Sequence, residues 1–283
     1  MKKRIWVTGA GGLIGSNVLR FAQAEAGDWE WFGLGRSELD LLDHDRMRSE
    51  FAQQAPVALV HCAAIANTGH CEENPELAFR TNSEATRVLS ELFSELPMVF
   101  LSTDIVFDGL SGGYVEESEC RPINVYGRTK LDAETYVLRY PNHCVLRLSL
   151  NGGVSPSGDR GFNEVLKQTF NRGEELKLFV DEYRQPLPVE VTARVIMTAL
   201  RERWSGIYHL GGAERMSRFA IGELLAAHWG IAKPNLSPSS LKDFSGGIRA
   251  PDTSMDCRKI QSRLDFEIPS LRDWLKDHPE ASF

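Results

Sequence analysis

Long apolar runs are missing from this 283-residue chain: none approaches the ~18 residues that a membrane-crossing helix needs, so no helical span is expected. The opening MKKRIWVTGAGG carries basic residues, but its apolar stretch stops at Thr8 and the glycines, too soon for the core of a secretory signal. Positive charge is also scarce. Lys and Arg number 32 against 39 Asp and Glu, and the net charge of -7 gives no general attraction for nucleic acid or an anionic membrane. Phosphate, if bound, must be held by local groups. Cysteine is sparse as well: Cys62, Cys71, Cys120, Cys144 and Cys257 are odd in number, scattered, and without zinc-ligand spacing. Reduced thiols in a cytoplasmic compartment are the expectation, not a disulfide framework. Asp, Glu and His form no cluster at ligand spacing, so no metal site is expected. Internal repeats and low-complexity tracts are absent too.

What is present is ordinary globular material, 42% hydrophobic and 25% charged. The length suits about two domains of ~150 residues, or one domain with a lobe. Through residue 150, strand-like and helix-like segments alternate: RIWV, a helix over 13–24, EWFGL, a helix over 43–53, VALVHCAA, a long helix from about 74 to 96, MVFLS, a helix through 126, and CVLRLSL. Alternation with continuously apolar strands predicts an α/β fold, a doubly wound, Rossmann-type parallel sheet with helices on both faces. After Leu150 the Gly- and Ser-rich NGGVSPSGDRG opens a run of shorter elements. Residues 1–150 are therefore expected to form a nucleotide-binding domain. Residues 151–283 are expected to form a smaller substrate lobe, partly interleaved with the sheet through the strand-like GIYHL.

VTGAGGLIG places Gly9, Gly12 and Gly15 between the first strand and the first helix, with Leu13 and Ile14 opening that helix. Glycines there permit a tight turn, let backbone amides reach a pyrophosphate, and let the helix pack closely on its strand. A dinucleotide cofactor is the expected ligand. Its identity is read at the end of the second strand, where an acidic residue would hold the ribose 2′-hydroxyl of NAD and an arginine a 2′-phosphate. The chain offers Gly35, Arg36 and Ser37 there, which favours NADP(H) and leaves NAD(H) open. Asp40 and Leu41 follow, where the adenine edge could be read.

INVYGRTKLDAE sets Tyr126 and Lys130 four residues apart on a helix that Asn124 would cap. With Ala133 and Val137 they share one side, which predicts a tyrosine and a lysine facing inward. A desolvated lysine needs a partner or ligand. Gly127, costing about 1 kcal/mol relative to alanine, points to a close approach of other backbone. MVFLS ends in Ser102, Thr103 and Asp104, at the carboxyl end of a central strand, where open α/β sheets bind ligands. Thr103 could bond a substrate carbonyl and Tyr126 exchange a proton with it. Lys130 beside the phenol would lower its pKa from near 10. His61 and His209 read as structural, and Glu116, Glu117 and Glu119 as a solvated loop face.

TGAGGLIG, STDIVFDG and YGRTK together resemble an extended short-chain dehydrogenase/reductase, most closely the dTDP-4-dehydrorhamnose reductase family. HCAA, Asn82 in FRTNSEATRVL, VDEYRQPLP, GIYHLGG and IRAPDTSMDCRKI extend the resemblance over nearly the whole chain. It implies Thr103, Tyr126 and Lys130 as catalytic residues, Ala63 and Ala64 beside the cofactor ribose, and Lys130 on the nicotinamide ribose. It further implies NADPH-dependent reduction of a 4-keto sugar nucleotide, with a small-molecule substrate as partner and a homodimer left open. Substrate contacts are expected from Thr103, Asp104, Phe162, Asn163 and Arg184. Arg160, Lys167, Arg184 and Arg249 are candidates for a diphosphate. RLSLNGG replaces the family's Trp-Val-Tyr stretch, and Arg184 and Gln185 replace a glycine and a small residue, so the sugar and its carrier are open. Besides a reductase for a small carbonyl compound without a nucleotide, two alternatives stand. A nucleotide-sugar epimerase or dehydratase is weakened because Ile105, not glutamate, follows Asp104. The other is a cofactor-binding regulatory chain like the methionine adenosyltransferase β subunit.

Overall fold

A computed structural model describes residues 2–24 and 27–283. Six parallel strands form the central sheet. β1 (Lys3–Thr8), β2 (Trp29–Leu34), β3 (Ala58–His61), β4 (Met98–Thr103) and β5 (His143–Leu148) come from the first half, and Gly206–Leu210 closes one edge. Their order is Gly206–Leu210, β5, β4, β3, β1, β2. The chain reverses direction across the sheet between β1 and β3, so the loops leaving these two strands diverge to opposite sides at their carboxyl ends.

Alternation of side chains explains why the strands read as continuously apolar. On one face Ile5, Val7, Val60, Val99, Leu101 and Leu146 form a core with α1 (Leu13–Ala24) and residues of the later helix Val189–Arg201. On the other, Trp6, Leu59, Phe100 and Val145 pack against α2 (His44–Gln54) and the helices that follow β3 and β4. The helices expected over 13–24 and 43–53 form within a residue or so, α2 being capped by Asp43, whose side chain accepts from the Arg46 amide.

The single long helix expected from 74 to 96 forms over 75–92 and is widened in its middle. α3 (Thr68–Glu73) precedes it, and Pro75 starts α4 (Pro75–Phe79), as proline suits a first helical turn. A π-helical turn over Arg80–Glu84 then passes into α5 (Ala85–Leu92). That turn buries Asn82 completely, and π turns of this kind often serve a local contact.

α6 (Val125–Val137) begins at Asn124, whose side chain accepts from the Gly127 amide at 2.8 Å. Lys130, Ala133 and Val137 are buried as the spacing requires. The close approach expected at Gly127 is the Ile105 carbonyl, which leaves no room for a Cβ; Pro122 Cβ would lie at 2.9 Å as well. α6 therefore lies directly on the turn that follows β4.

Beyond Leu150 a separate cluster of Leu166, Leu178, Met216, Ile221, Leu225 and Leu271 joins α7 (Phe162–Asn171) to shorter strands. LKLF pairs in parallel with Leu236–Ser239. α8 (Val189–Arg201) leaves this region and packs back on α1, and α9 (Arg218–His228) lies over the short strands. The glycine- and serine-rich segment is tied together at one side chain. Glu164 accepts from Ser155 N and Oγ, Arg160 N and Gly161 N, gathering the loop around one carboxylate.

Gly127→Ala tests the packing of α6. Helix propensity alone favours alanine by about 1 kcal/mol. The backbone collision should reverse that sign and cost about 1–3 kcal/mol, read as a lower midpoint in chemical denaturation.

Candidate active site

The glycine turn leaves β1 with Gly9 in left-handed backbone, φ +71°, and a Cβ there would meet the Ala63 nitrogen at 2.7 Å. Ala63, just past β3, therefore packs closely on the turn, and Ala64 follows it in the chain. Gly15 lies so close to the Gly9 carbonyl that a side chain is excluded. The first amides of α1, at Leu13 and Ile14, have no acceptor within the helix, and its first turn holds no acidic side chain. Free amides at the positive end of a helix, beside a turn that admits only glycine, suit a pyrophosphate. At the neighbouring strand end, Arg36, Ser37 and Asp40 are exposed, whereas Leu41 is buried with Leu34 and Leu39.

The loop after β3 is held from behind. Asn82 accepts from the Ile65 amide at 2.8 Å and donates to the Ile65 carbonyl at 3.1 Å and to Thr129 Oγ1 at 3.0 Å. It thus joins the cofactor-side loop to α6. His61, fully buried, bonds Thr8 Oγ1 at 2.6 Å through Nδ1 and Thr86 Oγ1 at 3.0 Å through Nε2. Thr86 donates its own proton to the Asn82 carbonyl, so His61 Nε2 must be the ring donor and Nδ1 the acceptor. Burial and the nearby Lys130 push its pKa down to about 3. The ring is neutral and structural, as is His209, pushed down to about 3 by burial and Arg147.

Thr103, Tyr126 and Lys130 meet at the carboxyl end of β4. Thr103 Oγ1 accepts from the Ile105 amide at 3.2 Å, capping the short turn Asp104–Val106. The side chains around Tyr126 do not lower its pKa as expected. Burial, then the Asp104 carboxylate, push the phenol up, and the Thr103 hydroxyl opposes them by hydrogen bonding. Lys130 cannot supply the missing pull, because burial drops its own pKa to about 7 against the opposing influence of Glu134 and Cys62. Its Nζ lies 3.9 Å from the centroid of the Phe100 ring, with no ion pair among the described residues. A charged amine there keeps only a cation–π contact.

Glu134, one turn beyond Lys130, was not singled out by the sequence. It is held by Arg147 at 2.7 Å and by Ser102 Oγ at 2.5 Å, and Arg147 reaches His209 Nε2 at 3.3 Å. Glu116 turns partly inward and accepts from the His209 amide, so it is not a purely solvated loop residue.

On the substrate side, buried Asp104 accepts from Thr253 Oγ1 at 2.8 Å and Ser149 Oγ at 3.1 Å, with Arg184 3.7 Å away. Arg184 also pairs with Glu182 at 3.2 Å, and so do Arg218 at 3.0 Å and Arg249 at 2.5 Å. Burial would raise the Glu182 pKa, but the Arg249 hydrogen bond and the charges of Arg218 and Arg184 outweigh it and hold the carboxyl at about 2. Arg218 lies over the Phe162 ring at 4.7 Å. Asn163 has its amide engaged by Gly153, Ser282 and Phe283 backbone, away from this cluster. Arg160 is exposed beside Asp159, and Lys167 lies over Trp229. Glu182 and Arg218 went unread because 36 residues separate them and no local spacing links them.

A family model described as "RmlD substrate binding domain" matches residues 2–281. A dTDP-4-dehydrorhamnose reductase of Sinorhizobium fredii is 33% identical over 285 residues, covering 95% of this chain and 94% of that protein. The methionine adenosyltransferase 2 subunit beta of Danio rerio is 27% identical, covering 97% and 90%. Among solved structures, a Bacillus anthracis dTDP-4-dehydrorhamnose reductase in complex with NADP superposes with a TM-score of 0.89 at 22% identity, covering 98% of both chains. Matched along nearly its whole length and a third identical to a named reductase, the chain belongs to the RmlD substrate binding domain family, that of the dTDP-4-dehydrorhamnose reductases.

Proposed function

We propose that the protein reduces a 4-keto group on a deoxysugar carried by a nucleotide, using NADPH, with NADH as the weaker substitute. The observation that carries this reading is the meeting of Thr103, Tyr126 and Lys130 at the end of β4, beside the glycine turn of β1. The Sinorhizobium fredii and Bacillus anthracis proteins, by name a reductase of dTDP-4-dehydrorhamnose and one holding NADP, support it. The nicotinamide ring, when bound, supplies a hydride to the carbonyl carbon. Tyr126 gives its phenolic proton to the carbonyl oxygen, and its raised pKa keeps that proton in place at neutral pH. Thr103 orients the same oxygen. Lys130 holds the cofactor ribose, whose hydroxyls give the buried amine the acceptors it lacks. Gly9, Gly12, Gly15 and the Leu13 and Ile14 amides cradle the pyrophosphate, and Ala63 and Ala64 line the ribose.

Three guanidiniums gathered on Glu182, with Asp104 answering only Arg184, leave net positive charge beside the reacting carbonyl. Arg218 and Arg249 would meet the diphosphate of a nucleotide sugar, with Phe162 beneath Arg218. Asp104 and Arg184 form the inner wall against the sugar.

The likeness to the Danio rerio methionine adenosyltransferase subunit favours a second reading, a cofactor-binding chain that regulates another enzyme without reducing a sugar. Consumption of NADPH with dTDP-4-dehydro-6-deoxy-L-mannose separates the two. Wild type should turn over, and Tyr126→Phe should lose at least about 100-fold in kcat with NADPH affinity unchanged. Tight NADPH binding without turnover would favour the regulatory chain.

Lys130→Met should abolish turnover yet stabilise the cofactor-free protein, raising Tm by at least ~2 °C, since a buried amine is replaced by an apolar chain. The folded amine titrates near 7 and the unfolded one near 10.5, so below pH 7 wild type carries the whole burial penalty. Between those values the unfolded state binds more protons, and wild-type stability rises with pH. The gap in Tm between variant and wild type should therefore narrow from pH 7 upward.

A further inference from the structure

In the sequence Gly35, Arg36 and Ser37 stand at the end of β2 and point to a 2′-phosphate. Folding changes what stands there. The turn after Leu34 brings Glu38 back over its own start, where Oε2 accepts from the Gly35 amide at 2.9 Å and Oε1 from Ser37 Oγ at 2.6 Å. The turn is fixed from both sides: the Leu39 amide bonds the Gly35 carbonyl at 3.0 Å, and Arg46 Nη2 donates to the Glu38 carbonyl at 2.8 Å. The Ala10 amide reaches the Leu34 carbonyl at 3.4 Å, so this turn borders the glycine loop. Gly35 is part of the arrangement, because a Cβ there would lie 2.6 Å from Glu38 Oε2. The bonds from Ser37 and Gly35 hold the Glu38 carboxyl below its ordinary pKa, so it is charged at neutral pH. Arg36, two residues before Glu38, is exposed and has no ion-pair or hydrogen-bond partner among the described residues.

A backbone amide, a serine hydroxyl and an arginine are the donors a phosphate monoester uses. Two of the three are already occupied by an anion built into the chain. We infer that Glu38 sets the choice of cofactor: its carboxylate accepts the 2′-hydroxyl of NAD(H), and must leave Gly35 and Ser37 before the 2′-phosphate of NADP(H) can enter beside Arg36. The site is a competition between an internal carboxylate and an external phosphate for one set of donors. Arg36 attracts the phosphate and Glu38 resists it, so the chain discriminates less sharply than Arg36 alone would dictate. Ser37 serves both states, donating to Glu38 in one and to phosphate in the other.

This inference rests on the dinucleotide reading above, and binding measurements keep the two apart. Dissociation constants for NADPH and NADH are measured by fluorescence titration on wild type, Glu38→Gln, Glu38→Ala and Arg36→Ala, with melting curves confirming that each is folded. Removing a like charge a few ångström from the phosphate should tighten NADPH by about tenfold in both Glu38 variants. NADH should weaken in Glu38→Ala, which loses the acceptor, and Arg36→Ala should move the NADPH-to-NADH ratio the opposite way. A ratio unchanged within about twofold in both Glu38 variants, at an energy far below a charge contact, overturns the inference while leaving cofactor binding intact. Wild type that binds neither nucleotide overturns both readings together.

Discussion

The ion pair between Glu134 and Arg147 is the contact on which the site's frame depends. Both side chains are almost wholly inaccessible, and each reaches further than its partner: Glu134 takes the Ser102 hydroxyl at the end of β4, and Arg147 extends from β5 to His209 on the edge strand. One helix, two central strands and an edge strand are thus joined at a single buried charge pair. Breaking such a pair from one side costs about 3–5 kcal/mol, because the survivor is stranded without water. Its position matters as much as its strength. Glu134 is one helical turn from Lys130, so the residue that anchors α6 to the sheet also sets the field around the buried amine.

Around that frame, charge is distributed unevenly. On the cofactor side, between the glycine turn and α6, little full charge stands: His61 is neutral and held in one tautomer by threonine hydroxyls, the first amides of α1 are free, and burial lowers the Lys130 pKa to about 7. The substrate side carries full charges in quantity, three arginines condensed on one carboxylate. The two meet at Asp104, which touches Arg184 on one flank and raises the phenol of Tyr126 on the other. In the proposed reaction Tyr126 must hold its proton until transfer, and Asp104 helps to hold it.

The fold was legible because its signals are local. Apolar strands, helix periodicity and glycines at the first turn each lie within a dozen residues, and α1, α2, β4 and α6 follow them closely. Tyr126 and Lys130 were legible for the same reason, being four residues apart on one helix. What escaped was long-range. Nothing in the chain near Glu182 announces Arg218 or Arg249, and Arg147 carries no mark that it will meet Glu134. Two features were local but conformational. The π-helical widening of the expected 74–96 helix goes with Asn82 facing inward, and the fold-back of Glu38 depends on a turn geometry that the letters GRSE do not specify. Electrostatic sign was the hardest to foresee, since the neighbour of a tyrosine can lower its pKa only if that neighbour keeps its own charge.

The π turn between α4 and α5 has a consequence for how this helix tolerates change. Each residue of a regular helix advances the side-chain direction by about 100°. The wide turn over Arg80–Glu84 absorbs one surplus residue, and that surplus lets Asn82 bridge Ile65 and Thr129 while Val88 and Leu89 still face the core. A single deletion there would make the helix more ideal by every local measure and swing the bridging amide out of reach. The irregularity is therefore a phase correction: it lets one continuous rod serve two partners whose directions no uniform helix could satisfy at once.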